Sequence, residues 1–402
     1  MTTLSAGTVR ALIEPSTRRM RPRYEGANIC TWIGFKHVGY LVEEAVYDHL
    51  RQAGLPPGEL YERYGLCTDI VDIDTRVLHA FHIDDEVEAE VVRTTGAADD
   101  ELRFTVTLRV PRDTVLKAAT SKVEVKLRAG DEPVPAELAP FTVARLTSAN
   151  GPGVRQPDVD LGVTDPPALL AAGRNAFVWR WRIPYFYCHF TEYLQMSGCL
   201  RLMEEVVDLF LADRGISIKQ LLDEQNLIPV VPRSAITVLD EARMEEELYT
   251  VFTVEEIFKN LTYTARMDTF VVRDGALVHT STGRITHGYA VIENRRDWRL
   301  VPFGARLLDG LSGKAVTTSE PAGPDEQEVR RLVADVLDLD AAEIGAEDNF
   351  FTDLDADSLM AMEITARLEK QYEVRFTEGE RTLLATVRAT HDLLARKLGG
   401  PR

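Results

Sequence analysis

The 402-residue sequence has few cysteines and lacks any long hydrophobic run. Its four cysteines, at positions 30, 67, 188 and 199, are widely scattered and form neither a CxxC pair nor a zinc-binding spacing. We therefore expect buried free thiols, as in a reducing cytoplasm, and no metal site. No apolar stretch approaches the roughly 20 residues that a membrane helix needs. The N-terminal region lacks the continuous hydrophobic segment of a secretory signal. A cytoplasmic protein without a membrane span is predicted.

Positive charge is also in deficit, and the formal net charge is -18. Residues 321–402 contain 10 Lys and Arg against 18 Asp and Glu, whereas residues 1–320 contain 36 against 46. The acidic density is therefore highest in the last fifth of the chain. Such a surface repels nucleic acid and suits a basic protein partner.

Two segments rich in Gly, Pro and small polar residues, 147–167 and 311–326, divide the chain into three blocks. In each of the first two blocks a long apolar helical stretch, at 37–55 and 193–215, precedes four strand-like runs with partial alternation. A curved antiparallel sheet wrapped around a central helix satisfies this order. The last block has three amphipathic helical stretches instead, and these predict a small helical bundle.

Ser358 stands at the predicted start of the second helix of the last block, where a Ser or Asp commonly serves as an N-cap. Its surroundings, DNFFTDLDADSLMAMEITARLE, resemble the acyl and peptidyl carrier protein signature F-x-D-L-G-x-D-S-L-x-x-x-E. The one departure is Asp355, where the family usually has glycine. The resemblance covers about 325–398. It implies that Ser358 carries a covalent 4′-phosphopantetheine group, which a phosphopantetheinyl transferase adds from coenzyme A. It also implies an acidic helix that docks to other enzymes of polyketide or fatty-acid synthesis.

The second block contains YFYCHFTEYLQMSGCLRLMEEVV, which resembles the hot-dog thioesterase segment D-x-x-G-H-V-x-N-x-x-Y-L-R-x-x-E-E. Leu200, Arg201, Glu204 and Glu205 match its end. The first block, with GFKHVGYLVEEAVYDHL, looks like a more divergent copy. Two copies in one chain would reproduce the dimer that single hot-dog proteins form, with active sites between the halves, and a homodimer of the whole chain is a compatible assembly.

The resemblances together imply an α+β architecture, a tandem (double) hot-dog fold followed by a small all-α acyl carrier protein four-helix bundle. The predicted boundaries are 1–146 for the first hot-dog domain, 147–176 for an inter-domain linker, 177–310 for the second hot-dog domain, 311–324 for a flexible linker and 325–402 for the carrier domain. A linker of this kind spans on the order of 20 Å. It would present Ser358 to a pocket of its own chain at high effective concentration.

The catalytic residue does not carry over directly from the thioesterases. The position of the family's acidic residue is held by Ile33 in the first block and by His189 in the second, and the family's histidine is His37 in the first and Tyr193 in the second. His189 also raises a second resemblance, to the hot-dog dehydratase pattern H-F-P-x-x-P-x-x-P-G-V-L followed by a helical glutamate. Glu204 lies one position from that glutamate. A histidine and a carboxylate could supply the base and the acid of β-hydroxyacyl dehydration.

Both chemistries need a polarised thioester carbonyl, for which the N-terminus of a central helix is suited. The candidate catalytic residues are His189, Glu204, Glu44, Glu43, His37 and Tyr193, followed by Asn28 and Gln195. A carboxylate buried at position 43 or 44 would face the interface between the blocks, with a raised pKa. The non-catalytic alternatives are a structural role for His189 and an ion pair between a glutamate of the helix and Arg201. His279 and His287 are expected to be structural.

The sequence therefore predicts an enzyme that hydrolyses or releases acyl chains from carrier protein or coenzyme A, in polyketide or fatty-acid-type biosynthesis, with its own carrier domain. Two alternatives stay open: a β-hydroxyacyl-thioester dehydratase on the same fold, and a catalytically inactive hot-dog pair that docks the carrier. A related acyl-loading or decarboxylating activity is a further alternative.

Overall fold

The computed structural model describes residues 12, 14–94, 97–98, 100–146, 155–156, 165–189, 191–313, 325–337, 339–354, 356, 358–372 and 374–398. The chain divides into two compact units, Met1–Ala315 and Val316–Arg402. Each unit has its own hydrophobic core. The predicted flexible linker lies largely outside the described residues.

The first unit is built on one large sheet. Its strands are β1 (Ser16–Met20), β2 (Cys67–Val77), β3 (Val87–Arg93), β4 (Leu102–Pro111), β5 (Val115–Arg128), β6 (Thr142–Val143), β7 (Arg155–Gln156), β8 (Ala176–Arg182), β9 (Leu227–Val238), β10 (Glu247–Phe258), β11 (Thr262–Arg273), β12 (Ala276–Ile292) and β13 (Trp298–Val301). Its helices are α1 (Phe35–Gln52), α2 (Pro57–Tyr64), α3 (Pro166–Ala171), α4 (Met196–Asp213), α5 (Ile218–Gln225) and α6 (Ala305–Leu311).

The strand order shows that the sheet consists of two similar halves. The main path runs β1-β3-β4-β5-β2-β9-β12-β11-β10-β8, and β2 pairs with β9 where the halves meet. We call residues 16–146 the first half and residues 165–313 the second half. In each half the long helix, α1 or α4, packs its apolar residues against the sheet, and both helices belong to one continuous core.

The two halves are related by a shift of 161 positions in the sequence. The 18-residue helices α1 and α4 begin at residues 35 and 196, and the 8-residue helices α2 and α5 begin at residues 57 and 218. Asp74 on β2 pairs with its own equivalent, Ala235 on β9. Gly39 on α1 also contacts its own equivalent, Leu200 on α4, and a Cβ on Gly39 would lie 2.6 Å from the Leu200 Cδ1. A pseudo-twofold axis therefore passes through both contacts.

This topology confirms the predicted α+β double hot-dog arrangement. The sequence patterns did not indicate β1, α2, α5 or β13 as separate elements. The segment predicted as an inter-domain linker, 147–176, contains α3, whose Leu170 is buried with Tyr249, Val251 and Phe270 on the sheet. At least this part of the segment is folded, because the outer face of the second half offers apolar side chains that cover Leu170.

The second unit is a small bundle of helices, as predicted. Its helices are α7 (Glu326–Leu337), α8 (Ser358–Gln371), α9 (Glu378–Arg381) and α10 (Val387–Leu398). Val333, Leu368, Val387 and Leu394 are fully buried between them. The short α9 begins with a capping box, in which Thr377 and Glu380 satisfy each other's backbone N–H groups.

All four cysteines are free, and three of them are buried, as expected from their scatter; Cys30 is partly exposed. Among the described helices, none combines the length and apolar character that spanning a membrane requires.

Candidate functional site

A cavity of about 690 Å³ lies between the two halves of the first unit. We call it the open cleft. Its walls come from the N-terminus of α1, the middle of α4 and strands β9, β11 and β12. Asn28, His79 and Asp208 are exposed at its mouth, whereas Trp32 and Phe35 are buried along its wall. A mostly apolar cavity with a few polar groups is the usual form of a small-molecule site.

The start of α1 forms one wall of the open cleft. The N-cap residue is Gly34, which has no side chain to cap the helix. The Gly34 N–H donates to the Gly26 carbonyl at 3.0 Å, and the Ile33 N–H donates to the Phe81 carbonyl at 2.8 Å. These bonds fix the turn that leads into the helix. The next N–H groups, of Phe35 and Lys36, have no intrahelical acceptor. The helix end therefore presents positive partial charge at the wall of the cleft.

A carboxylate reaches the same cleft from the other half. Glu204 lies one helical turn beyond Leu200, the point where α4 contacts α1, and its side chain lines the cleft. Lys36, in the first turn of α1, forms an ion pair with the Glu204 carboxylate. The Glu204 side chain is 43% exposed, so water has access to it. One half thus supplies the helix N-terminus and the other supplies the carboxylate.

The pseudo-twofold axis places an equivalent position, which we call the filled cleft, at the start of α4. Its residues include Glu43, Asp69, Arg128, Tyr193 and Glu241, all of them buried except the partly exposed Tyr193. The Arg128 guanidinium lies 4.0 Å from the centre of the Tyr193 ring and 3.4 Å from the Asp69 carboxylate. Charged and aromatic side chains therefore pack into this cleft.

Burial in the filled cleft changes the protonation of its acids. Desolvation raises the pKa of Asp69 to about 6, even though Arg128 acts in the opposite direction. Glu43 is the equivalent of Glu204, and desolvation, with a smaller effect of Glu44, raises its pKa to about 7. The prediction of a buried carboxylate with a raised pKa thus fits Glu43. Glu44 is instead exposed and lies 3.8 Å from Arg51 in an ion pair.

His189 and Glu204, the pair that dehydration would use, are not brought together. His189 lies in the turn before α4, with a left-handed φ of 50°, and its Nε2 contacts the Ser197 hydroxyl. Glu204 is seven residues further along the helix than Ser197, which is a distance of roughly 10 Å along the axis. His189 is exposed and does not line the open cleft. Burial and Arg201 lower the pKa of its imidazole.

The remaining predicted residues occupy supporting positions. His37 is buried in α1, its ring centre 5.0 Å from that of Tyr40, and burial is the main cause of its lowered pKa. Gln195 is the N-cap residue of α4 and donates from its side chain to the Thr191 hydroxyl at 2.9 Å. His279 stacks on Phe270, with ring centres 4.6 Å apart, and this agrees with a structural role.

The sequence patterns did not point to Trp32, His79 or Asp208, which line the open cleft, or to Lys36, which forms an ion pair with Glu204. His79 follows β2, which ends at Val77, and no sequence pattern distinguishes it from other polar residues. His287, which was expected to be structural, also lines the open cleft. A shift of 161 positions aligns Asn28 with His189 and Glu43 with Glu204. This alignment of the two halves would have shown that Glu204 and His189 occupy different positions relative to the two central helices.

In the second unit, Ser358 is the first residue of α8. Two positions before it, Ala356 is buried in the core, and one turn after it Met362 is 62% exposed. The N–H groups at the start of a helix favour a phosphate. The residues present therefore fit a phosphopantetheine group attached at this helix end. Among the described residues, no group of three or more His, Cys, Asp and Glu side chains could hold a metal ion.

Comparison with known proteins gives different results for the two units. Residues 327–390 match the family model described as "Phosphopantetheine attachment site". Polyketide-8 synthase acyl carrier protein 2 of Streptomyces avermitilis is 54% identical over 78 residues, which are 19% of this chain and 90% of that protein.

Two solved structures resemble a larger part of the chain. A protein of Lactobacillus plantarum described as an oleoyl thioesterase has a TM-score of 0.47 at 11% identity, covering 72% of this chain and 98% of that one. An acyl-ACP thioesterase of Bacteroides thetaiotaomicron has a TM-score of 0.42 at 11% identity, covering 68% and 97%. At these scores the likeness is loose, and the fold follows from the strand order and helix packing of this chain.

Proposed function

Because this chain belongs to the acyl carrier protein family through its second unit, we propose that it hydrolyses acyl thioesters in the open cleft and carries its phosphopantetheine on Ser358. When bound, that group supplies a thiol on a long flexible arm, which holds an acyl group as a thioester. The observation that carries the proposal is the meeting of the α1 N-terminus and Glu204 in one mostly apolar cavity.

The N-terminus of α1 polarises the thioester carbonyl in this proposal. The negative charge that develops on the carbonyl oxygen during attack is stabilised by N–H groups that are already oriented. The N–H groups of Phe35 and Lys36 are suited to this role because the helix leaves them without an acceptor. Lys36 adds a positive charge beside them and holds Glu204 in place.

Glu204 accepts a proton from the attacking water. Its carboxylate is partly exposed and borders the cavity, and a carboxylate within hydrogen-bond reach of water can act as a general base. The hydroxide equivalent adds to the carbonyl carbon, the C–S bond breaks, and the thiol leaves with a proton while the acid is released. Asn28, at the mouth, is placed to contact the thioester as it enters.

Dehydration is less well supported than hydrolysis, because His189 lies in the turn before α4 and outside the open cleft, whereas Glu204 lines that cleft from the middle of α4. The docking-module alternative rested on the missing family aspartate, and Glu204 supplies a carboxylate from the opposite half. We therefore keep hydrolysis as the proposed reaction. We further propose a phosphopantetheinyl transferase as a partner, acyl groups of a polyketide or fatty-acid type as cargo, and the cytoplasm as the location.

The test is to incubate the full chain with saturated and with β-hydroxyacyl pantetheine thioesters of equal length. A thiol reagent follows release of pantetheine, and mass spectrometry identifies the acyl product. We expect free thiol and carboxylic acid in equal amounts. An enoyl thioester formed without release of thiol would replace hydrolysis by dehydration. Absence of turnover with every thioester would favour the docking module.

A further inference from the structure

Within the part of the chain that the structure describes, two buried polar side chains of the open cleft have no hydrogen-bond partner. His287 is 3% exposed and both of its ring nitrogens are unpaired among the described residues. Trp32 is 4% exposed and its Nε1 is likewise unpaired. Both residues line the open cleft. Buried polar groups are nearly always hydrogen-bonded, so each such exception needs an explanation.

The surroundings of both rings fix their positions. The His287 ring stacks on Tyr263, with ring centres 5.1 Å apart and an interplanar angle of 14°. The Trp32 ring lies 4.7 Å from that of Trp298. Tyr263 is itself fully buried, so the imidazole has a rigid support. Neither ring can turn toward solvent to find a partner without losing these contacts.

The chemistry of the two groups defines what they would bind. Burial alone lowers the pKa of His287 to about 3, so the imidazole is neutral at physiological pH. A neutral imidazole offers one N–H donor and one acceptor nitrogen, whereas the indole of Trp32 offers a donor only. A hydroxyl group can satisfy both nitrogens in turn, and a carbonyl oxygen can accept from either N–H group. A saturated alkyl chain would leave all of these groups unpaired.

We propose that the open cleft selects acyl chains that carry hydroxyl or keto oxygens, with His287 and Trp32 as the residues that recognise them. This inference rests on the proposed function, in that the acyl group of a thioester occupies the open cleft. The remaining lining, which includes Phe35, Val207 and Leu211, contacts the hydrocarbon part of the chain. A site built to hydrogen-bond a substrate oxygen rejects an analogue that lacks it, because its own buried groups then stay unpaired.

The experiment compares pantetheine thioesters of one chain length, one saturated and the others with a single hydroxyl or keto group at successive odd carbons. We measure kcat/KM for each with the full chain. At least one oxygenated thioester should exceed the saturated one by about 10-fold or more. His287→Phe keeps a ring to stack on Tyr263 but removes both nitrogens, and it should abolish most of this preference. His287→Gln restores a donor and an acceptor and should recover part of it.

Two controls keep the result interpretable. His279→Phe removes another stacked imidazole from β12, one outside the cleft lining, and should retain the wild-type preference. If His287→Phe fails to fold, Trp32→Phe is compared with Trp298→Phe. Trp32→Phe should lower the ratio of kcat/KM between oxygenated and saturated thioesters. Trp298→Phe should keep this ratio, even if both rates change. Thermal unfolding of each variant checks the fold.

Binding measurements separate failure of this inference from failure of the proposed function. Non-hydrolysable amide analogues of the same thioesters are titrated by calorimetry. Tighter binding of an oxygenated analogue, lost in His287→Phe, supports the inference even if no thioester is hydrolysed. Equal affinity for saturated and oxygenated analogues, or a preference that survives both His287→Phe and Trp32→Phe, overturns the inference.

Discussion

Glu43 and Glu204 occupy the same position of the two central helices, 161 residues apart, but Glu204 lines an open cavity while Glu43 is buried. Lys36 pairs with Glu204, whereas burial, with a smaller effect of Glu44, raises the pKa of Glu43 to about 7. The duplicated fold has thus produced two different environments for one carboxylate. This difference is the reason that we propose a catalytic role for Glu204 and a structural role for Glu43.

Glu204→Gln should lower kcat for thioester hydrolysis by about 100- to 10,000-fold, the usual contribution of a general base. The amide keeps the size of the side chain but cannot accept the proton from water. Release of thiol from a pantetheine thioester, measured at saturating substrate, gives the effect on kcat directly.

Glu205→Gln is the matched control for this variant. Glu205 is the next residue of α4 and accepts a hydrogen bond from the Tyr187 hydroxyl at 3.0 Å, away from the residues that line the cleft. It should change kcat by less than about 10-fold. Equal rates for Glu204→Gln and Glu205→Gln would show that Glu204 is not the base.

Glu43→Gln should stabilise the protein increasingly as the pH rises. Folding raises the pKa of Glu43 from 4.5 to about 7, so the native state resists its ionisation. The wild type therefore loses stability, relative to the variant, as the pH rises from about 4.5 through 7. The loss approaches about 3 kcal/mol above pH 8. Urea unfolding of both proteins at pH 5 and pH 8 measures this difference.

The neighbouring Glu44→Gln provides the control, because the Glu44 side chain is 58% exposed. Its difference from the wild type should change much less between the two pH values than that of Glu43→Gln, because Glu44 makes only the smaller contribution to the raised pKa of Glu43. Asp69, whose pKa is also raised, is present in every protein compared, so its titration cancels. Parallel stability curves for Glu43→Gln and the wild type would mean that the carboxylate is not held in a desolvated site.

The order of elements was readable from the sequence, because the alternation of strands such as β12 and the apolar faces of α1 and α4 are local patterns. The Ser358 signature was also local. The pairing of Glu204 with the start of α1 was not, since it depends on how two halves 161 residues apart cross at Gly39 and Leu200. Because His189 and Glu204 are close in the sequence, they were expected in one site. The pseudo-twofold packing does not bring them together.

Gly39→Val should destabilise the first unit by roughly 1–3 kcal/mol through overpacking. A Cβ at this position would already lie 2.6 Å from the Leu200 Cδ1, where α1 contacts α4. Adding Leu200→Ala should relieve part of the cost, so that the double variant loses less than the two single variants together. Gly58→Val is the control, because a Cβ there would have no neighbour within 4 Å. If the losses of stability in the two single variants simply added up in the double variant, position 39 would not contact Leu200.

Ser358→Ala should abolish attachment of phosphopantetheine to the chain. With coenzyme A and a broad-range transferase, the intact wild-type protein should gain the mass of one such group, since its only proposed attachment point is the serine that begins α8. Thr352→Ala removes another hydroxyl of the same segment, one that bonds to Asp353 at 3.1 Å, and should leave the gain intact. A mass increase in Ser358→Ala equal to that of the wild type would move the attachment to another residue.

The same loading reaction, with acyl-coenzyme A in place of coenzyme A, tests whether the first unit hydrolyses the acyl group that the second unit carries. The wild-type chain should gain the acylated phosphopantetheine group and then lose the acyl part. At low protein concentration the rate of this loss should not depend on the protein concentration, because the substrate is tethered to the same chain that holds the cavity. Glu204→Gln should keep the acyl part at least about 100-fold longer, since the tether remains but the base does not. Loss that accelerates in proportion to protein concentration would show instead that each carrier is served by the cleft of another chain.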